Sequence, residues 1–256
     1  MPADPIMTDD TGAPVPVPET VRRVVSLVPS LTESVAATVP GALVGATDWC
    51  THPHDLDVAR VRGTKNPDLD AVRRLRPDVV LANAEENRAP DIEALREAGV
   101  PVWVTRIETL RQAFTSLDRL LRLACRAPRP SWLDAAEAAW REPETGPRRT
   151  AVIPIWRRPW MVVGRDTFTG DVLRHLGIDN LYASHPERYP KIPLSELAAR
   201  RPDLVVLPDE PYAFSEDDGP ESFPGLTCVP VSGRLLTWYG PSLAAARAEL
   251  GERLGR

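Results

Sequence analysis

Apolar and polar positions along this chain switch repeatedly between a helical and an extended period. Leu69, Val72 and Leu75 recur at helical spacing, with Asp68 placed as an N-cap and Pro77 as the stop. Val79–Ala82 follows as a continuous apolar run, expected of a strand covered on both faces. A polar loop, Glu85–Arg88, closes that strand. A second helix spans Pro90–Ala98 and ends at Gly99, and Val100–Val104 supplies the next strand, with Trp103 in the core. Helix and strand alternating in this way predict a parallel sheet with helical crossovers. Ligands of such sheets sit beyond the carboxyl ends of the strands, which makes Glu85–Arg88 the first place to look for function.

The same pattern returns 125 positions later, where Leu194–Val206 repeats the spacing of Leu69–Leu81. Pro77 pairs with Pro202, Asp78 with Asp203, and Glu85 with Glu210. The fold class expected is α/β: two similar lobes with central parallel sheets, joined by a connecting helix, with a ligand cleft between them.

The remaining pattern fits that frame. Arg23–Val28 reads as a strand, and Ser30 with Glu33 has the spacing of a capping box opening a helix at Leu31. Its free N–H groups would welcome an anionic ligand group. Leu43–Thr47 is a second strand. A long amphipathic helix from Glu108 to Cys125 turns Leu110, Phe114, Leu117, Leu120, Leu121 and Ala124 to one side. Ser131 caps a connecting helix to Glu142, and the Pro- and Gly-bearing stretch 142–147 marks a boundary. Beyond it come a strand at Thr150–Ile155, a hairpin return at Met161–Gly164, and a helix at Asp171–Leu176 ended by Gly177. Val229–Val231 is a last short strand, Leu235–Gly240 a loop, and Ser242–Leu254 a terminal helix. The domains expected are a disordered tail at 1–20, a first lobe at 21–127, a connecting segment at 128–147 and a second lobe at 148–256.

Composition narrows the function classes. A net charge of −5 and a pI near 5.5 argue against nucleic acid and anionic membrane surfaces. No apolar run approaches the ~20 residues that cross a bilayer, so no membrane insertion is expected. Five prolines and four acids fill the first twenty residues, which carry no basic or apolar signal region, so the chain as given is expected in the cytoplasm. Three widely spaced cysteines imply no disulfide framework.

No glycine-rich phosphate loop and no nucleophile elbow occurs. Loops at the strand ends carry Trp49, Glu85, Asn87 and Arg88 in the first half, and Trp156, Arg157, Trp160, Tyr212, Trp238 and Tyr239 in the second. Aromatic faces with a few charges suit a broad, partly apolar ligand. A separate candidate is Cys50, His52 and His54, which alternate and would share one side of an extended backbone as metal ligands, with Asp48 beside them.

Val24–Glu33, Gly63–Asp68, the run Leu75–Leu81 and Glu85–Asn87 together resemble the helical-backbone metal receptors, the class III periplasmic binding proteins, and among them the cobalamin-binding ones. The resemblance implies two lobes joined by a rigid helix with modest hinge motion, and a non-enzymatic receptor for a metal chelate. A corrinoid is expected first, a siderophore or haem next, with an ABC importer permease as partner and the receptor itself a monomer. No cofactor is required beyond the bound chelate. Trp49, Trp156, Trp160, Tyr212 and Trp238 would stack on the ligand, with Glu85, Arg88 and Arg157 orienting its polar edge and Ser30, Asn87 and Tyr239 lining the site. The other reading is a cytoplasmic enzyme or metal-handling protein that reuses the fold with an altered cleft. Family receptors are periplasmic or lipid-anchored, which sets the expected cytoplasmic location apart.

Overall fold

The computed structural model describes residues 7–255; the first six residues of the expected tail lie outside the described residues. The chain forms two units. One contains residues up to 106 with 112–134 and 239–241, the other 107–111, 135–238 and the residues from 242 on.

The first unit opens with a small antiparallel pair, β1 (Met7–Thr8) and β2 (Pro14–Val15). Its sheet is built from β3 (Val24–Ser26), β4 (Leu43–Ala46), β5 (Ala59–Arg60), β8 (Val79–Asn83) and β9 (Val102–Thr105), ordered β5-β4-β3-β8-β9 and parallel throughout. A short hairpin, β6 (Arg62–Gly63) with β7 (Asn66–Pro67), precedes the crossover back to β8. The helices are α1 (Pro29–Thr38), α2 (Leu69–Arg74) and α3 (Ala89–Glu97). α4 (Leu110–Arg119) continues into a wider π turn at Leu120–Ala124, and the expected apolar face of this helix is buried. All five residues of β8 are buried, as an apolar run between two helical layers requires.

The second unit repeats this order. Its strands β10 (Arg149–Val152), β13 (Ile178–Asn180), β14 (Leu204–Pro208) and β15 (Cys228–Val231) form a parallel sheet ordered β13-β10-β14-β15. β11 (Pro154–Trp156) and β12 (Met161–Val162) make an antiparallel hairpin beyond β10. α6 (Phe168–His175), α7 (Leu194–Ala199), α8 (Gly233–Thr237) and α9 (Leu243–Arg253) complete it. One of the chain's passages between the two units falls inside α5 (Ser131–Ala139), between Asp134 and Ala135.

The repeated motif has a physical reason. Arg76 and Arg201 both take φ +45°, a left-handed turn that ends each helix before its proline. The aspartate that follows then clips the start of the neighbouring strand. Asp78 accepts from the backbone N–H of Arg22 and Arg23 at 2.7 and 2.9 Å. Asp203 accepts from the N–H of Thr150 at 2.7 Å and from its hydroxyl at 2.8 Å. One Pro-Asp pair thus sets the register of a strand entry in each lobe.

Three sequence expectations are corrected and one strand is added. The capping box at Ser30 does not form: the helix opens two residues earlier, with Val28 as N-cap and Pro29 at the first helical position, where the fixed proline φ suits it. The region read as a tail is ordered from Met7. Asp9, only 3% exposed, pairs with Arg96 at 2.9 Å and accepts from Thr11 and Ala13 N–H. Asp10 donates its N–H to Val104 O at 3.1 Å, and its carboxylate takes Arg106 N–H, the Ser116 hydroxyl and Arg119. Because β9 is an edge of the sheet, this segment covers an otherwise open ladder. Part of the loop at 235–240 is helical, since the Ser232 hydroxyl caps α8 by accepting from Leu235 N–H. Finally, β13 adds a strand whose three residues were too few to show a period.

Candidate ligand-binding site

In the first lobe the turn after β4 is fixed from inside. Cys50 N–H donates to Thr47 O at 3.1 Å, and Arg60 donates to the carbonyls of Thr47 and Cys50, each at 2.9 Å. The Cys50 thiol is buried, accepting from the Thr32 hydroxyl at 3.0 Å and lying 3.1 Å from that of Thr47. Burial pushes its pKa up despite those hydrogen bonds. With Cys50 turned inward, Trp49 is thrown outward and stays 67% exposed. A Cβ on Gly63 would lie 3.3 Å from the indole nitrogen, so the ring rests on a glycine of the β6–β7 hairpin.

The same turn undoes the metal expectation. The alternation of Cys50, His52 and His54 assumed an extended backbone. Instead the thiol enters the core, while the two imidazoles lie towards the surface with ring centroids 4.4 Å apart. Among the described residues no three His, Cys, Asp or Glu gather into a metal-binding set.

The loop after β8 is organised by two asparagines. Asn83 accepts from the N–H of Glu85 and Glu86 at 2.8 and 3.2 Å and donates to the Thr105 hydroxyl at 3.0 Å. Asn87 accepts from Asn83 N–H at 2.8 Å and donates to the carbonyls of Thr64 and Leu27 at 3.0 and 3.3 Å. Asn87 is therefore a buried knot tying three segments, and its amide is spent on backbone. Glu85 and Arg88 stay exposed on this loop, and the Lys65 ammonium donates to the Glu85 carbonyl at 2.5 Å. Tyr239 is 5% exposed and donates its hydroxyl to Glu86 at 3.2 Å, beside Ser30 in the first turn of α1. Burial, then the Glu86 carboxylate, hold its phenol well above the usual range. Ser30 and Tyr239 thus belong to the wall of the lobe.

In the second lobe the β11–β12 hairpin carries three of the expected residues. Trp156 is 43% exposed and meets Tyr212 edge-on, with centroids 5.7 Å apart at 83°. Trp160 stacks on Phe214 at 6.0 Å and 9° and meets the edge of Phe223 at 5.3 Å. Arg157 pairs with both Asp218 and Glu221. Trp238 is 7% exposed with the Arg234 guanidinium 5.9 Å from its ring, so it serves as packing.

Glu210 is the repeat partner of Glu85. It lies just beyond β14, with its side chain against Gly233 and Thr237. Burial raises its pKa; a hydrogen bond from Trp238 opposes that shift, and Asp209 adds to it.

The two parallel α/β units share their fold with solved periplasmic binding proteins. The chain is 24% identical over 209 residues to the vitamin B12-binding protein of Vibrio parahaemolyticus, a match covering 78% of this chain and 74% of that protein. Among solved structures, the periplasmic vitamin B12 binding protein BtuF of Vibrio cholerae superposes with a TM-score of 0.76 at 16% identity, covering 92% of this chain and 97% of that one. CeuE of Helicobacter pylori, solved with Ni(II) bound, gives a TM-score of 0.81 at 13% identity, covering 96% and 87%. The periplasmic heme-binding protein RhuT from Roseiflexus sp. RS-1 gives 0.72 at 19% identity, covering 91% and 97%. None of these four is named for an enzymatic activity. No protein-family profile matches the chain. Among the described residues no helix is long and apolar enough to cross a membrane.

Proposed function

We propose that this protein is a solute-binding protein for a metal chelate, a corrinoid ahead of haem or a ferric siderophore, which it hands to an ABC importer permease. One observation carries the reading. Among the described residues, the large hydrophobics left exposed are Trp49 and Trp156, one in each unit, each in a segment beyond the carboxyl end of a sheet strand. An indole left in water gives up apolar transfer energy of ~25 cal/mol per Å², which a flat ring ligand would recover. Tyr212 backs Trp156, while Glu85 and Arg88, exposed on the loop after β8, offer one charge of each sign to the amides or carboxylates at a chelate's rim. The vitamin B12-binding relatives support a corrinoid as first choice.

The test is titration of the wild-type protein with cyanocobalamin, cobinamide, haemin and a ferric siderophore, following tryptophan quenching and the visible spectrum. One chelate is expected to bind at micromolar concentration or below. If none binds below millimolar, the reading fails.

A further inference from the structure

We infer that Arg157 is a positioning residue that sets the aromatic face of the second lobe, rather than a group that touches the ligand; its effect on binding rests on the proposed function above. Arg157 leaves the β11–β12 hairpin beside Trp156, and its side chain is only 15% exposed. The guanidinium reaches across to the loop after β14. There it pairs with Asp218 and Glu221 and donates to the Ser222 hydroxyl at 3.2 Å. Two carboxylates neutralise it, so it presents no unmatched positive charge.

What it does instead follows from the next contacts. The second oxygen of Asp218 accepts from the Tyr212 hydroxyl at 2.7 Å. Tyr212 in turn supports Trp156 edge-on at 5.7 Å. The chain of contacts Arg157, Asp218, Tyr212, Trp156 closes a ring, because Arg157 and Trp156 are neighbours in sequence. The guanidinium also lies 5.4 Å from the centre of the Trp160 ring, which stacks on Phe214 of the same loop.

The far side of the clamp is equally fixed. Gly219 takes φ +130°, and a Cβ there would come within 2.8 Å of the Phe214 ring, so the loop admits only glycine at that point. The Gly219 N–H donates to Glu221 at 2.5 Å. The loop is therefore shaped to present Asp218 and Glu221 together, and a planar fork is the cation that meets two acids at once.

The test uses full-length protein labelled with 5-fluorotryptophan, with the Trp156 fluorine resonance assigned by Trp156→Phe and the Trp49 resonance as internal control. Arg157→Ala and Asp218→Asn are both expected to move the Trp156 resonance and leave that of Trp49 in place. Arg157→Lys, a point charge that satisfies one acid, should fall between them and wild type. Cyanocobalamin affinity should fall about two- to tenfold in the same order, the range of a misoriented aromatic pair. Should Arg157→Ala not fold, Asp218→Asn and Arg157→Lys decide. An unmoved Trp156 resonance in the folded variants overturns the assignment. So does a loss of cyanocobalamin binding with Trp156 unmoved, since the guanidinium would then touch the ligand. If wild type binds no chelate, the functional reading fails while the fluorine spectra still decide the positioning role.

Discussion

Replacing Asn87 with alanine separates two roles that an amide beside a binding loop can have. In wild type, Asn87 is 5% exposed and serves three backbone groups: the N–H of Asn83 and the carbonyls of Leu27 and Thr64. Alanine leaves that N–H without an acceptor inside the lobe, a loss of about 1–3 kcal/mol for a buried orphan. The two carbonyls lose a donor each at smaller cost, because a carbonyl tolerates one vacant lone pair better than an N–H tolerates none. The total comes to about 2–4 kcal/mol, well short of a full sum of three orphans because the loop relaxes and water reaches Thr64. Urea denaturation followed by tryptophan fluorescence reads this as a lower midpoint for the first-lobe transition at unchanged slope. Asn87→Asp should be no better: it keeps the acceptor but sets a carboxylate against two carbonyls. The reasoning is refuted if Asn87→Ala keeps its midpoint and loses cyanocobalamin binding, because the amide would then belong to the ligand.

Two further outcomes are expected. Asp9→Ala leaves Arg96, itself a quarter exposed, without its buried carboxylate and frees the segment covering β9. Stability should drop by about 3 kcal/mol, and light scattering should report association through the open edge; a monomer of unchanged midpoint would contradict this. Asp203→Asn tests the repeated strand clip. Thr150 donates to Asp203 through its N–H and then its hydroxyl, holding the carboxyl below its usual range. That stabilisation is present above the unfolded pKa of ~3.9 and is lost as pH falls through the lower folded value. The variant should therefore show a flatter acid limb of stability, and profiles that run parallel to wild type would refute the role.

Much of the architecture was legible because it rests on local signals. Asp68 does cap α2, accepting from Ala71 N–H at 2.8 Å, and the apolar run of β8 is buried on both faces. The Pro-Asp repeat worked as a guide because each copy does the same backbone job. The exposed tryptophans were also readable, as large apolar residues in polar loops at strand ends. What stayed hidden depends on partners distant in sequence. Arg157 meets its acids 61 and 64 positions away, and nothing near it announces them. Asp9 and Asp10 look like tail residues until Arg96 and Arg119 arrive from 87 and 109 positions on. Cys50 was misread for a different reason: a hydrogen-bonded turn replaced the extended backbone that alternation assumes.

The central claim is that the exposed indoles of Trp49 and Trp156 contribute to binding a flat chelate. Calorimetric titration of cyanocobalamin into wild type, Trp49→Ala and Trp156→Ala tests it most directly. Stacking contributes about 0.5–1.5 kcal/mol per aromatic pair beyond the area buried, and the covered indole face adds to that. Each variant is therefore expected to stay folded and to bind about five- to 150-fold more weakly, a loss of roughly 1–3 kcal/mol. Two folded variants that bind within twofold of wild type would contradict the account.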